Sequence, residues 1–181
     1  GRFSAYESLT QSKHADRFHN WRLYYDSWRG KFVPVVWDTM GWLEPFRGAP
    51  ILPEMITNRL MEALFKNGDF IRSRSRALKG FFESGTDQLF LQTVSETIKT
   101  MEGEVHTDPL LYPAKPALVV RRMRQLEKLI SKVFDYNRRL VKENNLNGDS
   151  VASYRYEDDV LQLSVRGKSP LDALKLEFLK D

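Results

Sequence analysis

Apolar residues return at helical spacing along most of this chain. Near the start, Ser4-Ala5-Tyr6-Glu7 has the form of a capping box, and His14, Phe18, Trp21, Tyr25 and Trp28 follow at steps of four, three, four and three. At about 100° per residue those five side chains share one helix face, which Gly30 would terminate. Leu9 falls on the opposite side, so the first turns read as a separate helix, with Ser12 capping the second. Lys31 to Pro53 is broken by Pro34, Gly41, Pro45, Gly48, Pro50 and Pro53. That punctuation forbids a long helix and predicts a folded connector, with a helical turn after Pro34 and anchors at Trp37, Trp42 and Phe46.

Pro53-Glu54 places a proline at the first helical position and an acid in the first turn, so a helix opens there with the stripe Ile56, Leu60, Ala63 and Leu64, ending at Gly68. Asp69 caps a further helix through Phe82, buried through Phe70, Ile71, Leu78, Phe81 and Phe82. Gly85 ends it. Thr86 starts the next, whose stripe is Phe90, Val94, Ile98 and Met101 and whose stop is Gly103. Helices joined by short glycine-and-cap loops are the grammar of an antiparallel bundle. Glu104 to Pro116, with prolines at 109, 113 and 116, is the strongest internal linker, and a boundary there is the alternative to a single domain over 1–181.

From 117 to 144 comes the longest helix. Val119, Met123, Leu126, Ile130, Val133, Asn137 and Leu140 alternate steps of four and three, which is a heptad seam. Beyond the polar turn at 144–149, Tyr154, Tyr156, Leu161, Leu163 and Val165 alternate with polar residues as a hairpin does, with Glu157-Asp158-Asp159 as its loop. Ser169-Pro170-Leu171-Asp172 opens a short terminal helix carrying Leu171, Leu174, Phe178 and Leu179. The predicted fold is mainly α: a multi-helix bundle with one long helix in its C-terminal half, a small β-hairpin near 151–165 and a short terminal helix.

Composition narrows this reading. The chain has 181 residues, 41% hydrophobic and 29% charged, enough for one domain with a real core and far from the composition of a disordered segment. No apolar run approaches the roughly 20 residues of a membrane span, so integral insertion is not expected. There is no signal-peptide pattern and no Asn-x-Ser/Thr sequon, which favours the cytosol, nucleus or an organelle matrix. The abrupt start Gly1-Arg2-Phe3 reads as that of an excised fragment. With no cysteine, disulfides, thiolate nucleophiles and thiolate metal sites are out.

Charge is concentrated. Residues 117–144 hold eight basic and three acidic side chains, an excess of five where the whole chain has a net charge of +4. Arg121, Arg124, Lys128, Lys132, Arg139 and Lys142 lie opposite Val119 on one helix face, interrupted only by Asp135. Such a stripe tracks phosphates or an acidic partner; its bland alternative is a solvated outer face. Arg72-Ser73-Arg74-Ser75-Arg76, followed by Lys79, is a second basic cluster in which Arg72, Arg76 and Lys79 share a helix face and serine phosphorylation would add negative charge. Asn137, polar inside an apolar stripe, either fixes the register of a homodimeric coiled coil through 119–140 or bonds to a neighbouring helix.

Aromatic residues are as uneven as the charge. Eleven of 22 fall in the first 46 positions, including all four tryptophans. Trp21, Tyr25 and Trp28 therefore form a candidate aromatic interface, against the plainer reading that they are core. No catalytic signature is present: there is no GxGxxG, P-loop, HExxH or GxSxG, and His14, His19 and His106 lack metal-ligand spacing. Neither a cofactor nor a metal is expected. The leading expectation is a non-catalytic interaction module that binds a protein and dimerises through 119–140. The alternatives are a nucleic-acid binder using the basic face of 117–144 and a small-substrate enzyme with carboxylate and histidine chemistry.

Overall fold

The structure, a computed structural model, describes residues 1–13, 22–38, 40–108, 115–143 and 150–167. In chain order these form α1 (Arg2–Thr10), β1 (Arg22–Asp26), β2 (Lys31–Val35), α2 (Leu43–Phe46), α3 (Arg59–Leu64), α4 (Gly68–Glu83), α5 (Thr86–Val105), α6 (Pro116–Lys142), β3 (Ser150–Glu157) and β4 (Val160–Gly167). The protein is mainly α, with two antiparallel two-stranded hairpins, β1–β2 and β3–β4. His14, Phe18 and Trp21 of the expected aromatic face lie outside the described residues, as does the expected helix at 169–179.

Helix α6 is the axis of the bundle. Its 27 residues span about 40 Å, opened by Pro116 at the first helical position and closed with Arg139 and Lys142 in the last turn, where cations favour the negative end of the helix dipole. Ile130, Val133 and Phe134 are buried against Leu9, Trp42, Phe81, Phe82, Leu91 and Val94. The Phe134 ring meets Phe81 edge-on at 5.3 Å and Phe90 at 5.6 Å, so α4, α5 and α6 share one aromatic centre. A second cluster joins Ala5 of α1 to Leu78 of α4, and a third joins Met61 and Phe65 to Ile71.

Several local expectations are corrected. Arg22 to Asp26 is not helix but a strand, paired with 31–35 in the register Leu23 to Pro34 and Tyr25 to Phe32. Aromatic and β-branched residues favour that pleated ribbon over a helix, and Gly30, at φ 59°, serves the turn at 27–30 rather than a helix end. The Asp26 carboxylate accepts from the Arg29 N–H at 3.2 Å, holding the turn. Pro34 fits because a two-stranded ribbon has only edge strands.

Ser4 and Glu7 do not cap. The helix already begins at Arg2, which places both on its buried side. Pro53 does not open a helix either, because the 52–53 backbone is held by side chains of α1 and α4; α3 starts instead after Asn58, whose Oδ1 accepts from Met61 N at 2.9 Å. Asn67, not Asp69, caps α4, accepting from Phe70 N at 3.0 Å. Gly103 fails to stop α5, which runs on to a buried Val105. The second hairpin forms where expected, with a shorter loop: Glu157 pairs with Val160 in the ladder, and Asp158 and Asp159 alone make the turn at φ 52° and 58°.

Candidate functional site

The most unusual feature is how polar the centre is. Helix α1 has no segregated apolar stripe, yet Ser4, Glu7, Ser8 and Thr10 are buried on it, with Gln11 and Ser12 just beyond. Ser8 Oγ lies 3.0 Å from the Ser4 carbonyl and 3.1 Å from the Pro53 carbonyl, and it accepts from Arg74 Nη2 at 3.0 Å. Arg74 also donates to the Pro53 carbonyl and stacks over the Phe65 ring at 5.6 Å. Gln11 pairs with Leu52 as a strand neighbour would, donating to its carbonyl at 2.9 Å and accepting from its N–H at 2.8 Å. Burial pulls the Arg74 guanidinium down to about 10, so it stays charged at neutral pH. Burial pushes the Glu7 carboxyl up to about 8.

None of Ser8, Gln11 and Arg74 stands out from the sequence by residue type. Arg74 has a positional signal: it sits three residues after Ile71 and four before Leu78, on the apolar face rather than with Arg72 and Arg76.

The basic residues on α6 divide. Arg121, Lys128, Lys132, Arg139 and Lys142 are exposed, and among the described residues no ion pair engages Lys128 or Lys132. Arg124, partly exposed, is engaged by the chain's own acids, donating to Glu102 at 2.6 Å and Glu127 at 3.0 Å. Those hydrogen bonds, Glu102 first, raise its pKa still further. Arg138, which lies off the basic stripe, donates to the buried Asp87 and to Asp135 at 2.6 Å. Arg72, Arg76 and Lys79 line a shallow hollow on α4 with Glu83, while Lys128 and Lys132 line a separate one with Asp135. The structure does not merge the two basic groups into one hollow, and Arg72 pairs with Asp69.

The heptad seam also divides. Ile130, Val133 and Asn137 are buried within the chain's own core, and Leu140 packs against the Ala5–Leu78 cluster. Asn137 Nδ2 donates to the Val133 carbonyl at 2.9 Å and to the Ser8 carbonyl at 3.4 Å, so its neighbour is α1 of the same chain. In this fold those four residues pack within the chain itself. Met123 and Leu126, with Val119, line a groove of about 480 Å³ against Trp42 and Phe46. Trp42 is fixed there by donating from Nε1 to the Leu9 carbonyl at 2.9 Å.

Of the aromatic candidates, Tyr25 and Trp28 land on the first hairpin, and Trp21 lies outside the described residues. Tyr25 lies on β1, its ring 5.0 Å from that of Phe32, and Trp28 is at the turn, 96% exposed. Tyr24, Phe32, Val33, Val36 and Trp37 are also exposed, with the Arg22 guanidinium 4.8 Å from the centre of the Trp37 ring.

Among the described residues no group of three or more His, Asp or Glu side chains could hold a metal ion, and no helix is long and apolar enough to cross a membrane. No family model matches the chain, and neither the curated proteins nor the solved structures searched contain a similar one.

Proposed function

We propose that this protein is a macromolecular interaction module, and that its binding surface is the β1–β2 hairpin. One observation carries this reading. Tyr24, Tyr25, Phe32 and Val33 are exposed on two five-residue strands, Trp28 at the turn that joins them and Trp37 just beyond β2. A two-stranded hairpin is marginal by itself, and so many large apolar side chains exposed on one small ribbon mark a contact site. Rigid aromatic side chains are also the residue types that dominate binding energy at protein interfaces. The complementary partner is a protein surface with a pocket for Trp28 and an edge or groove for the ribbon.

A second reading rests on the exposed Arg121, Lys128, Lys132 and Arg139, which together suit a polyanion such as a nucleic acid. It is weakened by the loss of Arg124 to Glu102 and by the separation of the α4 cations.

A photo-crosslinking residue placed at Trp28, and in a second protein at Lys128, separates the two readings in cells. The hairpin reading expects a discrete protein adduct from position 28. Nucleic-acid adducts from position 128, with none from position 28, would overturn it. Titration of the purified chain with a single-stranded oligonucleotide at about 50 and 200 mM salt distinguishes them independently, because a phosphate-driven complex weakens by orders of magnitude over that range.

A further inference from the structure

The groove between the 40–46 segment and the first half of α6 is apolar on both walls, with Met40, Trp42 and Phe46 facing Val119, Met123 and Leu126 across about 480 Å³. Among the described residues its lining holds one charged side chain, Arg122, and no acid. Three residues after Val119 and four before Leu126, Arg122 lies beside the apolar stripe of α6 rather than on its cationic face. It is exposed, and among the described residues its guanidinium engages neither an ion pair nor a hydrogen bond. The opposite wall is strained. Met40 and Trp42 hold φ of 37° and 61°, a left-handed backbone that residues with side chains seldom adopt and that gathers at ligand sites. Trp42 is held there by the end of α1, donating from its backbone N–H to the Thr10 carbonyl at 2.5 Å and from Nε1 to the Leu9 carbonyl at 2.9 Å. That wall is therefore in place before anything binds, which lowers the cost of binding.

We propose that this groove binds a small apolar carboxylate, its chain lying along Trp42, Phe46, Met123 and Leu126 and its carboxylate paired with the Arg122 guanidinium. The volume is that of a small-molecule site rather than of a bed for a helix, which is about 10–12 Å across. A guanidinium presents parallel N–H donors that match the two oxygens of a carboxylate. One cation answers one negative charge. An ammonium head would meet the wrong sign, and a neutral head would leave the donor fork to water. The bound chain would also take Met40 and Phe46, 48% and 37% exposed, out of water. This site shares no residue with the β1–β2 hairpin and stands independently of the partner surface.

The test uses the full chain, with octanoate, 1-octanol and acetate at neutral pH as probes and the Met123 methyl resonance as reporter. Met55, which is buried and does not line the groove, supplies the control methyl. Octanoate moves the Met123 methyl saturably and leaves Met55 in place. Octanol binds about three- to tenfold more weakly at about 20 mM salt, a gap that narrows at about 200 mM as the rim charge is screened. Acetate, lacking the chain, moves nothing at the same concentrations. Arg122→Gln brings octanoate down to the level of octanol and leaves octanol unchanged. Arg121→Gln lowers the net charge equally but leaves the preference for octanoate intact. Both arginines are exposed, so both variants keep the fold. A Met123 methyl unmoved by octanoate, equal affinity for octanoate and octanol in the parent chain, or equal losses from Arg121→Gln and Arg122→Gln would each overturn the proposal.

Discussion

Arg74 of α4 donates to the Ser8 hydroxyl of α1 across 3.0 Å, joining two wholly buried side chains 66 residues apart. The same guanidinium holds the Pro53 carbonyl, so one cation fixes α1, α4 and the irregular segment before α3. Ion-sized groups lose much hydration on burial, and what retains this one is the set of oxygens it reaches.

Arg74→Met should therefore destabilise the protein by about 2–3 kcal/mol, since it removes the charged donor shared by the Pro53 carbonyl and the Ser8 hydroxyl and leaves them only the hydroxyl's own hydrogen. Ser8→Ala should cost less, about 1–2 kcal/mol. Urea unfolding of the two variants measures both. Equal midpoints for Arg74→Met and the parent chain would mean that this network does not hold the fold.

Glu7 makes stability depend on pH in the direction opposite to that of a salt-bridged acid. Its folded pKa, about 8, is above the ordinary 4.5 because burial disfavours the carboxylate. The folded state thus binds the proton more tightly than the unfolded state. Stability is at its fullest below about pH 4.5, falls as pH rises from there to about 8, and levels off above that. Glu7→Gln should remove this slope and stabilise the protein by a few kcal/mol at pH 8.5. Thermal unfolding between pH 5 and 9 measures it, and a Glu7→Gln profile parallel to the parent's would contradict the assignment.

Asn137 tests whether the α6 seam works within the chain. Its Nδ2 bonds to Val133 and Ser8 carbonyls while its Oδ1 has no partner among the described residues, and the Ser8 carbonyl also accepts from Gln11 at 2.7 Å. Asn137→Leu leaves no carbonyl of α1 unsatisfied and removes an unpaired oxygen, so stability should change by less than about 1 kcal/mol. Light scattering at two protein concentrations should show the same molecular mass for variant and parent. A shift in mass would restore the residue to an intermolecular seam.

Two aromatic substitutions should separate surface from core. Trp28→Ser removes a side chain that touches almost nothing and should stay within about 0.5 kcal/mol of the parent. Phe134→Ala empties the centre of the α4–α5–α6 contact and should cost about 3–5 kcal/mol. Guanidinium unfolding distinguishes them. A large loss for Trp28→Ser would place that ring in the fold rather than at an interface.

Long amphipathic segments were legible from local information. The apolar stripe of α6 and the alternation in 154–163 each repeat one signal over many residues, so they name their element without knowledge of neighbours. The N-terminal aromatic run was not. Tyr25 and Trp28 fit a helical period, but the same stretch is rich in strand-forming residues, and spacing over so few positions does not arbitrate between the two. For the candidate site, the exposed aromatic residues were visible as types but not in their placement on a hairpin.

What the chain's order of residues determined by itself is the helical class, the α6 rod, the second hairpin and the location of positive charge, because these follow from periodicity and composition alone. Only tertiary structure decided that a polar helix lies at the centre, that Arg74 is buried while Arg72 and Arg76 are not, that Arg124 is taken by Glu102, and that Asn137 meets Ser8. Each of those depends on a partner tens of residues away, and a side chain's burial free energy is set by the oxygens and apolar atoms that the fold brings to it, not by the residues beside it in the chain.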